Sequence, residues 1–189
     1  KRTRGSFDSG GLAGVMMGGC KCMRIGIIAD THGVIHPRIA DVFAGVEHIV
    51  HAGDIGGAHV LKALRAIAPV TSVDGNNDGD AMGDEIKRIT LGDTSILLTH
   101  ILPRPHELDA RVRDALRKQP ADLVVFGHSH LPHNEVVAGV RYFNPASAGP
   151  RRFDYPTSVG LLVDGELTHV ALDERSVGAL EKRMNQLSR

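Results

Sequence analysis

The chain has 189 residues, of which 42% are hydrophobic and 23% charged, an ordinary composition for one globular domain with a single sizeable core. Its 22 basic and 22 acidic side chains balance, so no net charge attracts it to a nucleic-acid polymer or an anionic membrane. No apolar run approaches the roughly 20 residues of a membrane span, and two cysteines are too few for a secreted disulfide scaffold. We therefore expect a cytoplasmic protein.

Residues 1–22 differ from the rest of the chain, because they are rich in glycine, begin with basic residues and lack an initiator Met. The glycines interrupt a weak apolar patch, and no small-residue cleavage site follows it, which argues against a signal peptide. We expect a mobile leader or a tag remnant here, with residues 23–189 forming the single domain. Cys20 and Cys22 fall in this leader, and we interpret them as two reduced thiols, not as a metal or redox pair.

From Met23 onward, short apolar runs alternate with stretches of helical spacing. Strands are predicted at 24–29, 47–51 and 70–73, with helices between them that begin at Pro37 and span 57–66. This β-α-β-α-β order predicts that the three strands are parallel.

After residue 85 the pattern changes to hairpins. Strands at 86–91 and 95–100 flank the turn signal Gly92-Asp93, and a helix at 107–118 precedes a buried strand at 123–126. Further strands are predicted near 134–138, 140–143, 158–164 and 166–172, and a last helix spans 174–187. The order predicts an α/β (α+β) fold of two mixed sheets flanked by helices.

Polar side chains of metal-binding type follow five of these predicted strands. Asp30, Asp54 and Asn76 follow the first three, and His100 and His128 follow two later ones. In open α/β sheets, ligands bind beyond the carboxyl ends of the strands, so five strand ends on one rim can bring these groups together.

Two more histidines extend this set, because His32 and His130 lie two residues beyond Asp30 and His128, where a tight turn can direct both members of a pair to one ion. The predicted metal ligands are therefore Asp30, His32, Asp54, Asn76, His100, His128 and His130. Each motif alone is common in ordinary turns, but all of them in this order indicate a site for two divalent cations.

The types of ligand limit which metal ions and which class of substrate the site can bind. The set contains no thiolate, which argues against structural zinc of the cysteine type. Imidazole with carboxylate suits Mn²⁺, which we expect, and also Fe, Ni, Co or Zn. Two divalent cations exceed the charge of the two carboxylates and a hydroxide, so the site would attract a small phosphate ester.

These motifs resemble those of the calcineurin-like metallophosphoesterase superfamily, and within it the small bacterial and archaeal phosphodiesterases related to the retromer subunit. The resemblance covers about Met23 to Leu172 and includes Asn144-Pro-Ala-Ser147, which is similar to Asn-Pro-Gly-Ser of the small members. It implies a four-layer αββα sandwich and two ligand sets that share one residue. One set is Asp30, His32, Asp54 and His130, and the other is Asp54, Asn76, His100 and His128.

Three positions depart from the family pattern. Asn77 stands where many members have a His that can assist the leaving group, and the small phosphodiesterases also lack that His. Ile101 stands where a Gly usually follows the His at position 100, and Ala146 replaces the Gly of Asn-Pro-Gly-Ser. None of the three removes a predicted ligand.

The predicted reaction is hydrolysis of a phosphodiester by a hydroxide that bridges the two metals. Asn76 would bind a metal and steady a phosphate oxygen, while Asp78 would orient a water or Asn76, or only stabilise the turn. Without a strong acid at Asn77, aryl phosphodiesters should react faster than alkyl phosphomonoesters.

Other histidines and arginines are weaker candidates for substrate contacts. His36 and His133 lie near the ligand loops and could assist the leaving group, although exposed loop histidines are the commoner case. Arg151, or its neighbour Arg152, could bind a phosphate oxygen, with a solvated surface pair as the alternative. His51 is interpreted as a hydrogen-bonded core residue that is not a ligand.

Alternative functions stay open at this point. The same ligand set suits a phosphomonoesterase or a nucleotide pyrophosphohydrolase, and the retromer-related branch shows that this fold can serve as a non-catalytic protein-binding scaffold. The full set of ligands argues for catalysis. A homo-oligomer is compatible with the sequence.

Overall fold

A computed structural model describes residues 23–79, 85–103, 105, 108 and 110–187. The predictions for the leader at 1–22 and for the first residues of the helix at 107–118 lie outside the described residues. The described strands are β1 (Ile25–Ile28), β2 (His48–Ala52), β3 (Val70–Val73), β4 (Ile86–Leu91), β5 (Thr94–Thr99), β6 (Leu123–Val125), β7 (His133–Val137), β8 (Val140–Asn144), β9 (Ser158–Val163) and β10 (Glu166–Ala171). The described helices are α1 (Ile39–Val42), α2 (Ala58–Arg65), α3 (Ala110–Lys118) and α4 (Glu174–Leu187).

The strands form two mixed five-stranded sheets. The first sheet has the order β10-β9-β1-β2-β3, and the second has the order β4-β5-β6-β8-β7. Strands β1, β2 and β3 are parallel, as the β-α-β-α-β order predicts, while β9 runs antiparallel to β1. In the second sheet, β5, β6 and β8 are parallel and the hairpins β4–β5 and β7–β8 are antiparallel.

The two sheets pack face to face over the largest part of the core. Side chains that alternate along β1, such as Ile25 and Ile27, are buried in this layer with Ile96 and Leu98 of β5. Their neighbours point the other way, so Ile28 packs beneath α1 and α2 on the outer face of the first sheet. Each fully buried aliphatic side chain contributes roughly 1.5–3 kcal/mol, and burial on both faces fixes the register of each strand.

Helices cover the outer faces of the sheets. Val112 of α3 is buried with Val124 of β6 on the second sheet, and α4 contacts the edge strands β10 and β7. This confirms the predicted α/β sandwich of two mixed sheets. None of the helices in the described part of the chain is long and apolar enough to span a membrane.

Helix α1 is shorter than the sequence spacing suggests. The apolar positions Ile39, Val42, Phe43 and Val46 have helical spacing, but the helix ends at Val42. Gly45 has φ +74°, a left-handed conformation that glycine adopts at low cost. The turn at Gly45 brings the chain directly into β2, while Phe43 and Val46 stay buried.

Candidate metal centre

The carboxyl ends of the parallel strands of both sheets meet at one rim. The loop after β1 is bonded to the loop after β2, because the Asp30 amide donates to the Gly53 carbonyl oxygen at 3.0 Å. At this rim, hydrogen bonds between the two sheets run from the His128 amide to Asp30 Oδ1 (3.1 Å) and from His100 Nδ1 to the Ala52 carbonyl oxygen (2.7 Å). The two sheets thus place their strand-end side chains at a common site.

Five of the predicted ligands share an unusual backbone conformation. Their φ angles lie between +46° and +67°, and the residues are Asp30, His32, Asp54, His128 and His130. A non-glycine residue in this left-handed region costs roughly 1–2 kcal/mol, and such strain clusters at functional sites where the surrounding fold enforces it. The backbone conformation that directs these side chains to the site therefore lowers the stability of the fold.

Glycine is required where the ligand loops touch. A Cβ atom on Gly75 would lie 2.1 Å from both the amide nitrogen and Oδ1 of Asp54. A Cβ on Gly127 would lie 2.9 Å from Asp30 Oδ2 and from the Ala52 carbonyl oxygen. The glycines that precede Asn76 and His128 thus allow the loops to approach closely enough to bring their ligand side chains together.

The first donor group comprises Asp30, His32, Asp54 and His130, each of which offers one ligand atom within 4.8 Å of all the others. Nε2 of His32 and Nε2 of His130 are 3.2 Å apart, and Asp54 Oδ2 is 3.6 Å from His32 Nε2. The buried Asp30 Oδ2 has no hydrogen-bond partner among the residues that the structure describes. An unpaired carboxylate oxygen beside converging imidazole nitrogens fits a divalent cation.

The second donor group comprises Asn76, His100 and His128, together with Asp54. Nδ1 of His100 carries the proton that it donates to Ala52, so its Nε2 faces Asn76 Oδ1 at 3.1 Å and Asp54 Oδ1 at 3.4 Å. His128 Nδ1 is 2.9 Å from the same Asn76 oxygen. An imidazole nitrogen opposite two oxygens needs either a proton or a cation between them, so this group also fits a metal.

Asp54 lies between the two donor groups, with Oδ2 towards His32 and Oδ1 towards His100. Asn77 holds this carboxylate, because its amide nitrogen donates to Oδ1 (2.9 Å) and its side-chain Nδ2 donates to Oδ2 (2.7 Å). Burial alone would raise the pKa of Asp54, but the hydrogen bonds from His100 and Asn77 keep it well below its usual range. A charged carboxylate in this position can serve both groups.

Burial favours the neutral forms of Asp30, His32 and His130, whereas at His100 burial is outweighed by the hydrogen bonds to Asp54 and to the Ala52 carbonyl oxygen, which raise the pKa. Burial raises the pKa of Asp30 to about 7, and the nearby charge of Asp54 adds to the effect although His100 opposes it. Burial lowers the pKa of His130 to about 4, and it also lowers the pKa of His32. Neutral imidazole is the form that binds metals, so these histidines are ready to ligate at neutral pH.

Asp78 joins the two loops that carry Asp54 and Asn76. Its carboxylate accepts hydrogen bonds from the amides of Ile55 (3.0 Å), Gly56 (2.8 Å) and Gly75 (2.9 Å). These contacts correspond to the turn-stabilising role, one of the two that the sequence leaves open for Asp78.

His51 occupies the place expected of a buried residue that is not a ligand. The Thr31 hydroxyl donates to the Ile55 carbonyl oxygen at 2.9 Å, so it accepts from His51 Nε2 at 2.9 Å. Burial lowers the pKa of His51 to about 3, which keeps the ring neutral. The pair fixes the loop between Asp30 and His32.

The two arginines after the Asn144–Ser147 segment have different surroundings. Arg151 Nη2 binds both carboxylate oxygens of Asp173 at 2.7 Å and the Ser176 hydroxyl at 2.8 Å, so this predicted substrate contact is held at the start of α4. Arg152 Nη2 instead lies 3.3 Å from His32 Nε2. The structure therefore places Arg152, not Arg151, beside a predicted ligand, and the sequence alone does not separate these neighbours.

The other two candidates for substrate contacts lie in ordinary surroundings. His36 Nδ1 accepts a hydrogen bond from the Arg38 amide at 3.2 Å. His133 Nε2 lies 3.1 Å from a Glu135 carboxylate oxygen, and its ring packs against Phe126. The roles of both histidines as substrate contacts therefore stay predictions.

A cavity of about 320 Å³ opens beside the second donor group. Ile101, in the position where the family usually has Gly, forms part of its wall and is 36% exposed. The described lining residues are Asp74, Gly75, Asn76, Gly79, Glu85, Thr99, His100, Ile101 and Arg111. Arg111 forms an ion pair with Glu85 across this wall. The cavity was not predicted, and Ile101 was the signal that pointed to this region.

The fold and the clustered Asp, His and Asn side chains define a metallophosphoesterase type of protein. A family profile described as the calcineurin-like phosphoesterase superfamily domain matches residues 23–165. The chain therefore belongs to the calcineurin-like phosphoesterase superfamily, which confirms the resemblance seen in the sequence.

Individual relatives agree with this assignment. A probable metallophosphoesterase of Methanothermobacter thermautotrophicus is 32% identical over 152 residues, which covers 76% of this chain and 88% of that protein. The solved structure of the phosphoesterase YfcE from Escherichia coli superimposes with a TM-score of 0.64 at 26% identity, covering 82% of this chain and 96% of the other. Vacuolar protein sorting 29 from Cryptosporidium parvum, with a TM-score of 0.61 at 20% identity over 79% of this chain and 96% of the other, shares the fold.

Proposed function

We propose that this phosphoesterase is a phosphodiesterase that uses two divalent cations. Asp30, His32, Asp54 and His130 hold one cation, and Asp54, Asn76, His100 and His128 hold the other. The observation that carries the proposal is the position of Asp54, whose two oxygens face two different donor groups at 3.6 and 3.4 Å. One carboxylate so placed can serve two ions at once.

The residues around the ions prepare the site for an anionic ester. When bound, the two cations activate a water as nucleophile and neutralise charge that develops on the phosphoryl oxygens. Asp54 stays charged and is held in place by Asn77. Without cations, the Asp30 and Asp54 carboxylates would supply no positive charge and would weaken the attraction of a phosphate ester to the rim.

The substrate preference follows from the residue after Asn76. The Asn77 side chain donates to Asp54 and has no acidic proton to give a leaving group. Esters whose leaving groups need little protonation are therefore favoured, so aryl phosphodiesters should be hydrolysed faster than alkyl phosphomonoesters. Faster turnover of an alkyl phosphomonoester would contradict this role of Asn77 and favour the phosphomonoesterase alternative.

Titration of the chelator-treated protein with manganese tests the proposal directly. Calorimetry should show two Mn²⁺ per chain, and Asp54→Asn should weaken both binding events and lower turnover of an aryl phosphodiester by about 10³-fold, corresponding to ~4 kcal/mol. Asp164→Asn is a matched control, because Asp164 has φ +51° and Asp54 has φ +53°. Wild-type turnover in Asp54→Asn would overturn the proposal.

Other functions are outcomes of the same experiment. A panel of aryl diester, cyclic nucleotide, dinucleotide and monoester, each with Mn²⁺, Ni²⁺, Zn²⁺ or Mg²⁺, separates a phosphodiesterase from a pyrophosphohydrolase. Two bound metals with no turnover of any substrate would identify a scaffold. The likeness to vacuolar protein sorting 29 lies below 25% identity and concerns the fold alone, so it does not favour the scaffold.

A further inference from the structure

The loop at 150–155, between β8 and β9, is fixed at both ends. Arg151 binds Asp173 and Ser176 and also donates to the Tyr155 carbonyl oxygen at 3.0 Å. The Tyr155 amide closes a turn on the Arg152 carbonyl oxygen at 3.1 Å. Since the ends are held in this way, the residues at the tip of the loop have a defined position next to the metal centre.

Arg152 extends from this loop to the first donor group. Its Nη2 lies 3.3 Å from His32 Nε2, and its charge is near enough to help lower the pKa of Asp30, His32 and His130. The described part of the chain provides Arg152 with no carboxylate at ion-pair distance. Among the described residues, this exposed guanidinium at the rim therefore has no carboxylate partner.

His32 cannot remain the partner of Arg152 when a metal is bound. A nitrogen that ligates a cation has no lone pair left to accept a hydrogen bond from a guanidinium. A guanidinium beside a cation is also repelled by it unless an anion lies between the two charges. A phosphoryl oxygen is the anionic group that a guanidinium at this place would bind best.

Two aromatic rings stand next to Arg152. Phe153 is 84% exposed, and its ring packs against that of Tyr155 with the ring centroids 5.7 Å apart. Phe153 also has φ +53°, a strained conformation for a bulky residue. Neither the exposure nor the strain stabilises the fold, and strain of this kind concentrates at ligand-binding sites.

We propose that the loop at 150–155 is a substrate arm for phosphodiesters that carry an aromatic group, such as an aryl ring or a nucleobase. In this proposal, which rests on the proposed function, Arg152 binds a non-bridging phosphoryl oxygen, and the Phe153–Tyr155 ring pair contacts the aromatic substituent. Rings stack on any aromatic base with little sequence preference, so the arm selects for aromatic character and not for one particular base.

Binding of non-hydrolysable ligands separates the two contacts. Calorimetry on the manganese-loaded protein would compare inorganic phosphate, ethylphosphonate and phenylphosphonate. Wild type should bind phenylphosphonate about 10-fold more tightly than ethylphosphonate, because only the former can stack. Phe153→Ala should remove this ratio while leaving the affinity for phosphate unchanged, and Val177→Ala, another exposed apolar position, should preserve it.

Substitution of Arg152 should have a different signature. Arg152→Gln should weaken all three ligands by about 10-fold or more, and Arg152→Lys should restore part of the loss. The same Arg152→Gln protein should bind Mn²⁺ at least as tightly as wild type, since a positive charge has left the rim. Arg175→Gln, an exposed arginine on α4, should change neither measurement.

Two results would overturn the substrate arm. If Arg152→Gln holds two Mn²⁺ and binds all three ligands as wild type does, the arm is wrong although the metal centre stands. The arm is also wrong if Phe153→Ala keeps the preference for phenylphosphonate. If wild type itself binds no manganese, the proposed function fails, and the substrate arm fails with it.

Discussion

The two donor groups differ in how the fold encloses them. Asp30, Asp54 and His130 of the first group are buried, and all four of its members have left-handed backbone. In the second group, Asn76 and His128 are exposed, and Asn76 borders the open cavity, while His100 is buried like the shared Asp54. The first group is thus set rigidly by the backbone, whereas the second is open to an incoming molecule.

This difference follows from the strands that supply the ligands. The first group takes three of its four members from the loops after β1 and β2, neighbouring parallel strands of one sheet. The second group takes Asn76 from the first sheet, and His100 and His128 from the second sheet. A shared backbone ladder fixes the first group, whereas packing between the sheets fixes the second, so we expect the first to hold its cation more tightly.

Removing one ligand from each group tests that expectation and should give the largest effects. His128→Gln should leave one tightly held Mn²⁺ per chain after desalting, while Asp30→Asn should lose the tight ion. Either change should lower turnover of an aryl diester by about 10³-fold, because each ion supplies several kcal/mol of stabilisation. Mass spectrometry measures the metal content of each variant, and an assay with the aryl diester measures its rate of hydrolysis. A tight ion that survives Asp30→Asn but not His128→Gln would reverse the comparison.

Asp78, whose carboxylate joins the loops that carry Asp54 and Asn76, should have the next largest effect. Asp78→Ala leaves three backbone amides without their acceptor, so we expect the chelated protein to lose about 2–3 kcal/mol of unfolding free energy. Metal affinity should fall at both sites, since the loops of Asp54 and Asn76 come apart. Urea unfolding and manganese titration measure the two effects. A variant that keeps stability and metal affinity but loses turnover would instead place Asp78 in the chemistry.

The sequence predicts much of this architecture because two strong signals agree. Apolar runs bounded by Gly and Asp mark the strands, and parallel strands must carry their following residues to one rim. This is why residues as distant as Asp30 and His130 can be grouped from the sequence, and the structure brings them within ligand distance of one another.

Other features depend on the exact course of the backbone, which no residue pattern reveals. Arg151 and Arg152 are chemically alike, and only the loop at 150–155 directs one to Asp173 and the other to His32. The role of Asp78 depends on three backbone amides, whose positions are not encoded by residue type. The cavity likewise arises from the separation between loops and not from a motif.

The pH dependence of unfolding distinguishes Asp30 of the metal centre from His169, which lies outside it. Burial lowers the pKa of His169 to about 4; its Nε2 donates to the Asn144 carbonyl oxygen and its ring stacks on Phe143. A histidine with a lowered folded pKa contributes stability above its unfolded pKa, and that stability is lost as pH falls through 6.5 towards 4. We expect His169 alone to account for roughly 2–3 kcal/mol of this loss.

Unfolding by urea in the presence of chelator at pH 7.5, 6, 5 and 4 measures this loss. The unfolding free energy of His169→Gln should depend less steeply on pH than that of wild type, whatever the stability of the variant at neutral pH. Asp30 acts in the opposite direction. Its pKa of about 7 lies above the unfolded value of 3.8, so its contribution grows as pH falls from 7 to 4. Asp30→Asn should therefore steepen the loss. An unchanged slope in His169→Gln would mean that His169 has the same pKa in the folded and unfolded protein.

Ala146 has a left-handed backbone but is not a predicted metal ligand, so its substitution tests the energetic cost of that conformation separately from metal binding. Ala146, in place of the family glycine, is fully buried with φ +70°, and the next residue, Ser147, donates its hydroxyl proton to the Asp30 carbonyl oxygen at 2.9 Å. Ala146→Gly relieves roughly 1–2 kcal/mol of backbone strain, which stabilises the folded state. Two effects oppose this gain. Glycine loses about 0.5–1 kcal/mol more conformational entropy on folding, and the variant lacks a buried methyl group that contributes about 0.8 kcal/mol. These effects nearly cancel, so the unfolding free energy should change by less than about 1 kcal/mol, with manganese affinity unchanged. A gain above that value would show that the strain at this turn exceeds the usual cost, and a fall in manganese affinity would show that the turn positions Asp30 through Ser147.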